Sequence, residues 1–224
     1  MDNTTHQVSN TDLEARSPKW LGIGAQLISI ILHPLFIPTY IFLFLMQVVP
    51  FEFAGITSWQ LTLRLFSCFW YTAFFPAIAI FLLWRLQFIQ SILLKTQKER
   101  IVPFIIVMFF YWWMYYLSRN FIDQPIVLRF FYMGIFLSTV VGLILNNYFK
   151  ISLHGMGAGG GVAALVLFSW YYALPMWPYI SIAIMLAGLI ATARIIISDH
   201  TNREIYIGII MGMLCQVLSY IFLA

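Results

Sequence analysis

Charge is scarce in this chain. Only 9% of its 224 residues are Asp, Glu, Lys or Arg, whereas 62% are hydrophobic. An average soluble domain is about 25% charged and about 45–50% apolar. A water-soluble fold of this length has too little interior to hide the excess, which excludes an ordinary soluble enzyme or binding domain. Cysteine is equally sparse. Cys68 and Cys215 both fall inside apolar runs, where a thiol behaves as a small hydrophobe. That excludes a disulfide framework, and no Cys/His spacing suits a metal. The net charge of +4 is small and comes from short clusters between apolar runs, so nucleic acid is not an expected partner. A cleavable leader is not expected either, because the first apolar run is too long for a signal h-region and carries no small-residue cleavage site. It reads as a retained span. No internal repeat or low-complexity linker stands out.

Apolar runs fill the rest. A membrane helix needs about 20 of them in a row, and the candidates are residues 22–48, 61–84, 102–118, 126–147, 157–174, 178–197 and 205–223. The expected fold is therefore all-α, a polytopic transmembrane helical bundle of about seven spans, with six possible because the third and fifth runs are short. Residues 1–20 form a polar N-terminal segment and 21–224 a single membrane domain. Within the first run lies HPLFIPTY, where Pro34 and Pro38 predict a kink. His33 beside them is either a functional polar group in the bilayer or, as the favoured reading, a histidine satisfied by a neighbouring helix. Residues 85–100, RLQFIQSILLKTQKER, space Leu86, Ile89, Ile92 and Leu93 as an interfacial amphipathic segment would.

Seven spans would put the N-terminus and the intervals 85–103, 147–157 and 194–205 on one face. That face collects most of the cations and most of the other polar groups able to do chemistry. The opposite face keeps only Arg64, Arg119 and Arg129, the last placed to snorkel. The excess of Lys and Arg favours a cytoplasmic position for the rich face. The same cations would also serve phosphate, so the side stays open.

Three segments on the rich face stand out. ARIIISDHTNREIYIGIIMG holds Arg194, His200 and Glu204, with Gly208 and Gly212 beyond. His200 and Glu204 are four apart, so on a helical turn they touch; a carboxylate on one ring nitrogen fixes the tautomer and aims the other outward. The start of the last helix also favours an incoming anion, and Asp199 is placed to cap it. KISLHGMGAGGG holds Ser152, His154 and a glycine run beginning at Gly155. Glycines let backbone amides approach an anionic oxygen, although helix packing explains that run equally well and explains Gly208 and Gly212 better. A second imidazole suits a general acid. KTQKERIVP supplies Lys95, Lys98, Arg100 and Pro103, cations suited to phosphate at a membrane surface.

These segments resemble the type 2 phosphatidic acid phosphatase superfamily, the lipid phosphate phosphatases related to bacterial acid phosphatases and vanadium haloperoxidases, in a divergent bacterial-type form. That family carries K-x6-R-P, P-S-G-H and S-R-x5-H-x3-D on one membrane face. Here the third motif keeps Arg194 and His200, with Ala193 for Ser and Glu204 for Asp. The second keeps Ser152 and His154, with Ile151 for Pro and Leu153 for Gly. In the first, Arg100 is followed by proline only at Pro103, and neither Lys95 nor Lys98 has the family spacing. The resemblance implies a lipid phosphatase of a bacterial cytoplasmic membrane that needs neither metal nor cofactor. His200 would form a phosphohistidine, Glu204 would orient it, and His154 would protonate the leaving group. Arg194, Arg100 and Lys95 would hold the phosphate, assisted by Ser152 and the amide of Gly155. Its partners would be a lipid phosphate or pyrophosphate and the surrounding membrane lipids. Two rivals are a catalytically inactive binder of anionic lipid and a small transporter or scaffold.

Overall fold

The computed structural model describes residues 19–94, 96–197 and 200–224. Lys95 and Asp199 lie outside the described residues, as does all but the end of the polar N-terminal segment. Among the described residues there is helix and turn but no strand. The first apolar run is split into α1 (Lys19–Ile31) and α2 (Ile37–Val48). A short 3-10 turn, Pro50–Phe53, leads to α3 (Ser58–Phe69), a π-helical turn (Trp70–Phe74) and α4 (Phe75–Arg85). Five long helices follow: α5 (Gln97–Asn120), α6 (Ile126–Asn146), α7 (Leu153–Tyr172), α8 (Trp177–Ile196) and α9 (Asn202–Leu223). Among the described residues six helices, counting Ser58–Arg85 as one, are long and apolar enough to cross a membrane. The chain is an all-α, multi-pass membrane protein.

The runs expected from hydropathy recur with corrected ends. The third and fifth spans are not short: α5 has 24 residues and α7 has 20. Their first turns are polar or glycine-rich and fall below a hydropathy threshold, but they are helical because caps hold them. Thr96 and Glu99 close a capping box at α5, and Ser152 caps α7 by accepting from the Gly155 amide. The cap of α9 is Thr201, in a box with Glu204, which takes the place foreseen for Asp199. The first span is interrupted rather than merely kinked. Pro34 has no N–H to give and excludes a continuous helix, so two carbonyls of the last turn of α1 are freed. One, at Ile31, accepts from the Tyr40 hydroxyl at 2.8 Å. The other, at Ser29, is taken by a side chain of the candidate site. The interval 86–94 is a run of turns, not an amphipathic helix. Gln87 and Leu94 adopt left-handed backbone angles that end helical growth on either side.

Two features fix the bundle. Away from the polar end, Phe42, Leu45, Phe130, Phe131 and Phe168 are fully buried in one core. Toward the other end, α7 and α9 approach backbone to backbone. A Cβ on Gly155 would lie 2.7 Å from the Ile205 carbonyl oxygen, and one on Gly208 would lie 2.7 Å from that of Ser152. In lipid, where no hydrophobic force pairs helices, small residues of this kind set the interface.

On the opposite face Arg64 is buried. It donates to Asp123 at 2.6 Å and to Gln124 at 3.3 Å, and it stacks over the Phe121 ring at 4.7 Å. The guanidinium beside Asp123 holds its carboxyl below the ordinary carboxylate range. A carboxyl so depressed contributes stability above its unfolded pKa near 4 and loses it as pH falls through the lower folded value. Asp123→Asn is expected to cost about 0.5–1 kcal/mol at pH 7, because the half-exposed carboxylate is screened. The cost should shrink below pH 4, as read by thermal unfolding in detergent. A cost independent of pH between 3 and 7 would exclude the ion pair as its source.

Candidate functional site

The three intervals assigned to one face do meet. Arg100, on the first turn of α5, is 5% exposed. Its Nε donates to the Leu94 carbonyl at 3.0 Å and one terminal nitrogen donates to that of Ile151 at 2.8 Å. The other terminal nitrogen stands 3.4 Å from Nε2 of His200. The turns at 86–94 therefore have a purpose: they present the Leu94 carbonyl that aims the guanidinium.

His200 sits in the loop between α8 and α9, its ring only 2% exposed. Nδ1 lies 3.1 Å from both the Lys150 carbonyl and a carboxylate oxygen of Glu204. Both neighbours accept, so Nδ1 carries the proton. Arg100 can only donate, so Nε2 must offer its lone pair. Two independent contacts select the same tautomer. The Glu204 oxygen is held in turn by the Thr201 amide at 3.0 Å, so the helix cap and the orientation of His200 are one arrangement. Burial, and then the charges of Arg100 and Arg194, push the His200 pKa down to about 4, against the opposing pull of Glu204. At neutral pH the ring is an uncharged imidazole whose Nε2 lone pair faces a cation. Nitrogen-15 NMR of labelled histidine should show one ring in the Nδ1–H form at pH 7 with a midpoint near 4. A midpoint above 6 would contradict the burial and the guanidinium contact.

Arg194 closes α8 and is buried. Its charge reaches His33, His154 and His200. His154, on the first turn of α7, donates from Nε2 to the freed Ser29 carbonyl at 3.1 Å, and its Nδ1 is left as the acceptor. Ser152 is fully buried. Its amide donates to the Glu204 carbonyl at 3.3 Å and its hydroxyl accepts from the Gly155 amide at 3.2 Å. Ser152 and Gly155 thus join α7 to α9 and start the helix, and the Gly155 amide is spent on that cap. Of the residues singled out from sequence, Arg100, Arg194, His154, His200 and Glu204 are gathered together, with Ser152 and Gly155 directly behind them. Lys95 lies outside the described residues.

His33 is a member of this group that sequence reasoning set aside. Its ring meets that of His154 edge to face, centroids 4.9 Å apart, and its Nδ1 accepts from the Leu35 amide at 3.3 Å. The ring packs on a neighbouring helix, against the candidate acid itself, while its hydrogen bond is local, from the Leu35 amide. The signal was present as a histidine next to the proline that breaks an apolar run. Asn146 also supports the site, tying α6 to the start of α5 through the Gln97 carbonyl at 2.8 Å. Nothing in the sequence pattern marked it.

Comparison with protein-family models, with curated proteins and with solved structures finds no match for this chain.

Proposed function

We propose that this protein is a membrane phosphatase that hydrolyses a lipid phosphate or pyrophosphate through a phosphohistidine at His200. The observation that carries the reading is the fixed tautomer of His200, with Nδ1–H held by Glu204 and the Lys150 carbonyl and the Nε2 lone pair turned to Arg100. A neutral, oriented imidazole beside fixed cations is what nucleophilic attack on an anionic phosphorus requires. The resemblance to the type 2 phosphatidic acid phosphatases gives the same residues the same roles.

In the first step the Nε2 lone pair forms a bond to phosphorus while the bond to the leaving oxygen breaks and its electron pair departs with that oxygen. Arg100 and Arg194 offset the charge on the equatorial oxygens. His154, in its protonated form, would release a proton from Nδ1 to the leaving oxygen, its Nε2–H remaining on Ser29. In the second step a water loses a proton to that imidazole and attacks phosphorus. The P–N bond breaks, its electrons return to Nε2, and inorganic phosphate leaves. A substrate held in the bilayer suits a site at the end of membrane helices, since the headgroup can react while the tail stays in hydrocarbon.

Two measurements test this. Purified protein, treated with a chelator, should release phosphate from a lipid phosphate. Acid-quenched protein stays unlabelled, but protein quenched in base during turnover of a phosphorus-32 substrate should retain label with the acid lability of a phosphoramidate. A base-stable label missing under every substrate tried, together with no phosphate release, would sink the reading. The closure of the site favours a second reading. With His200 almost wholly covered and Arg100 already holding two carbonyls, the cluster would retain an anionic headgroup without turning it over. Binding of phosphatidate with no hydrolysis would decide for that binder.

A further inference from the structure

A cavity of about 340 Å³ runs from the polar end into the bundle. Its upper end is Arg100 and His33. Its walls are apolar, with Pro103 and Val107 from α5, Ile135 from α6 and Met156 from α7. Its deep end is mixed, with Tyr111 and Gln216 beside Phe131, while Ser138 and Thr139 sit higher on α6. Along α5, the eleven residues from Arg100 to Tyr111 correspond to about 16 Å at 1.5 Å per residue. That is roughly half of the ~30 Å hydrocarbon core. Ala77 and Ile92, both exposed on the outside of the bundle, also line the cavity, so it opens sideways where lipid would lie. The break in the first span matters here. The unwound Pro34–Phe36 stretch replaces a helical turn that would otherwise fill the upper wall.

We propose that this cavity receives the single apolar chain of a one-chain phosphate, and that the protein selects one-chain over two-chain lipid phosphates. The cation stands at one end only, so an anionic headgroup is held at Arg100 while its chain points toward the deep end. The volume is at the small end of the roughly 300–1,000 Å³ of small-molecule sites. The walls are packed helices, and Tyr111, Gln216 and the Phe131 ring close the deep end near mid-bilayer. A second chain on the same headgroup finds no second cavity beside the first and must leave through the lateral opening. The inference rests on the phosphatase reading for what happens to the headgroup, but not for where the chain lies.

The test uses a pair with one headgroup: lysophosphatidate and diacyl phosphatidate with the same acyl chain, at equal mole fraction in mixed micelles. Phosphate release by the wild type should favour lysophosphatidate by about tenfold or more in kcat/KM, the discrimination an apolar pocket affords. Val107→Phe and Gly161→Leu narrow the cavity from opposite walls, and a Cβ at Gly161 meets only an Ile37 methyl, at 3.6 Å. Each should lower kcat/KM on lysophosphatidate by about tenfold and leave the rate on p-nitrophenyl phosphate, which has no chain, within twofold. Equal or better turnover of phosphatidate, or variants that leave lysophosphatidate untouched, would overturn the proposal. Should the wild type release phosphate from none of these, the phosphatase reading fails alone. Thermal stabilisation by lysophosphatidate then takes over as the readout: it should exceed that by phosphatidate and vanish in Val107→Phe, and the opposite order would refute the cavity's role.

Discussion

His200→Gln is expected to lower phosphate release by roughly 10³-fold or more, the scale on which loss of a nucleophile acts. Glutamine can still donate to the Lys150 carbonyl or to Glu204, the partners that hold Nδ1, so the loop should keep its shape. What it cannot supply is a lone pair basic enough to attack phosphorus. Glu204→Gln should act more mildly, by about 10–10²-fold, because the Lys150 carbonyl still selects the Nδ1–H tautomer and only the charge that stabilises the developing imidazolium is lost. Arg100→Lys should fall between them. Lysine keeps the charge, but its three donors sit on one nitrogen and cannot match the planar spread by which three guanidinium nitrogens reach separate partners, and the carbonyls of Leu94 and Ile151 compete for it. The order His200, then Arg100, then Glu204, with unfolding temperatures little changed for His200→Gln, is the pattern to look for. A His200→Gln protein that retains a tenth of wild-type turnover would remove the phosphohistidine from consideration.

The legibility of this fold from sequence varies with the physics of each part. The long spans were readable because lipid demands one thing of a helix exterior, and that demand is written into most residues from 126 to 146 and from 205 to 223. Helix starts were less readable, since a cap is a single hydrogen-bonding residue that hydropathy treats as loop; Thr96 and Thr201 are such residues. The pairing of His200 with Glu204 was readable from a spacing of four. The aim of Arg100 was not, because it is set by backbone carbonyls of Leu94 and Ile151, and carbonyls leave no mark on sequence. The same holds for His154, whose partner at Ser29 exists only because Pro34 ends a helix early. The glycine run had two readings, an anion cradle and a packing face. The coordinates give Gly155 and Gly159 to packing against α9, and the spacing of four that they share with Gly208 and Gly212 was the clue.

Gly212→Val is expected to be among the most damaging single substitutions outside the anion cluster. A Cβ at this position would overlap the Met156 carbonyl oxygen and approach the Gly160 amide nitrogen at 2.9 Å. Both are backbone atoms of a packed helix, so no rotamer change relieves the clash and α7 and α9 must move apart. Overpacking usually costs about 1–3 kcal/mol, and an overlap with rigid backbone belongs at about 3 kcal/mol or above. The consequence reaches the site, because the Ser152 amide is bonded to the Glu204 carbonyl across this interface, and the two helices carry His154 and Glu204. Separation should therefore reduce thermal stability and anion binding together. Gly188, on the outside of α8 with nothing within 4 Å of an added Cβ, is the matched control. Gly188→Ala should be neutral or stabilising by up to about 1 kcal/mol, as alanine is the better helix former. If Gly212→Val and Gly188→Ala unfold at the same temperature in detergent, close backbone approach is not what holds α7 to α9, and the joint between the two halves of the site must be sought elsewhere.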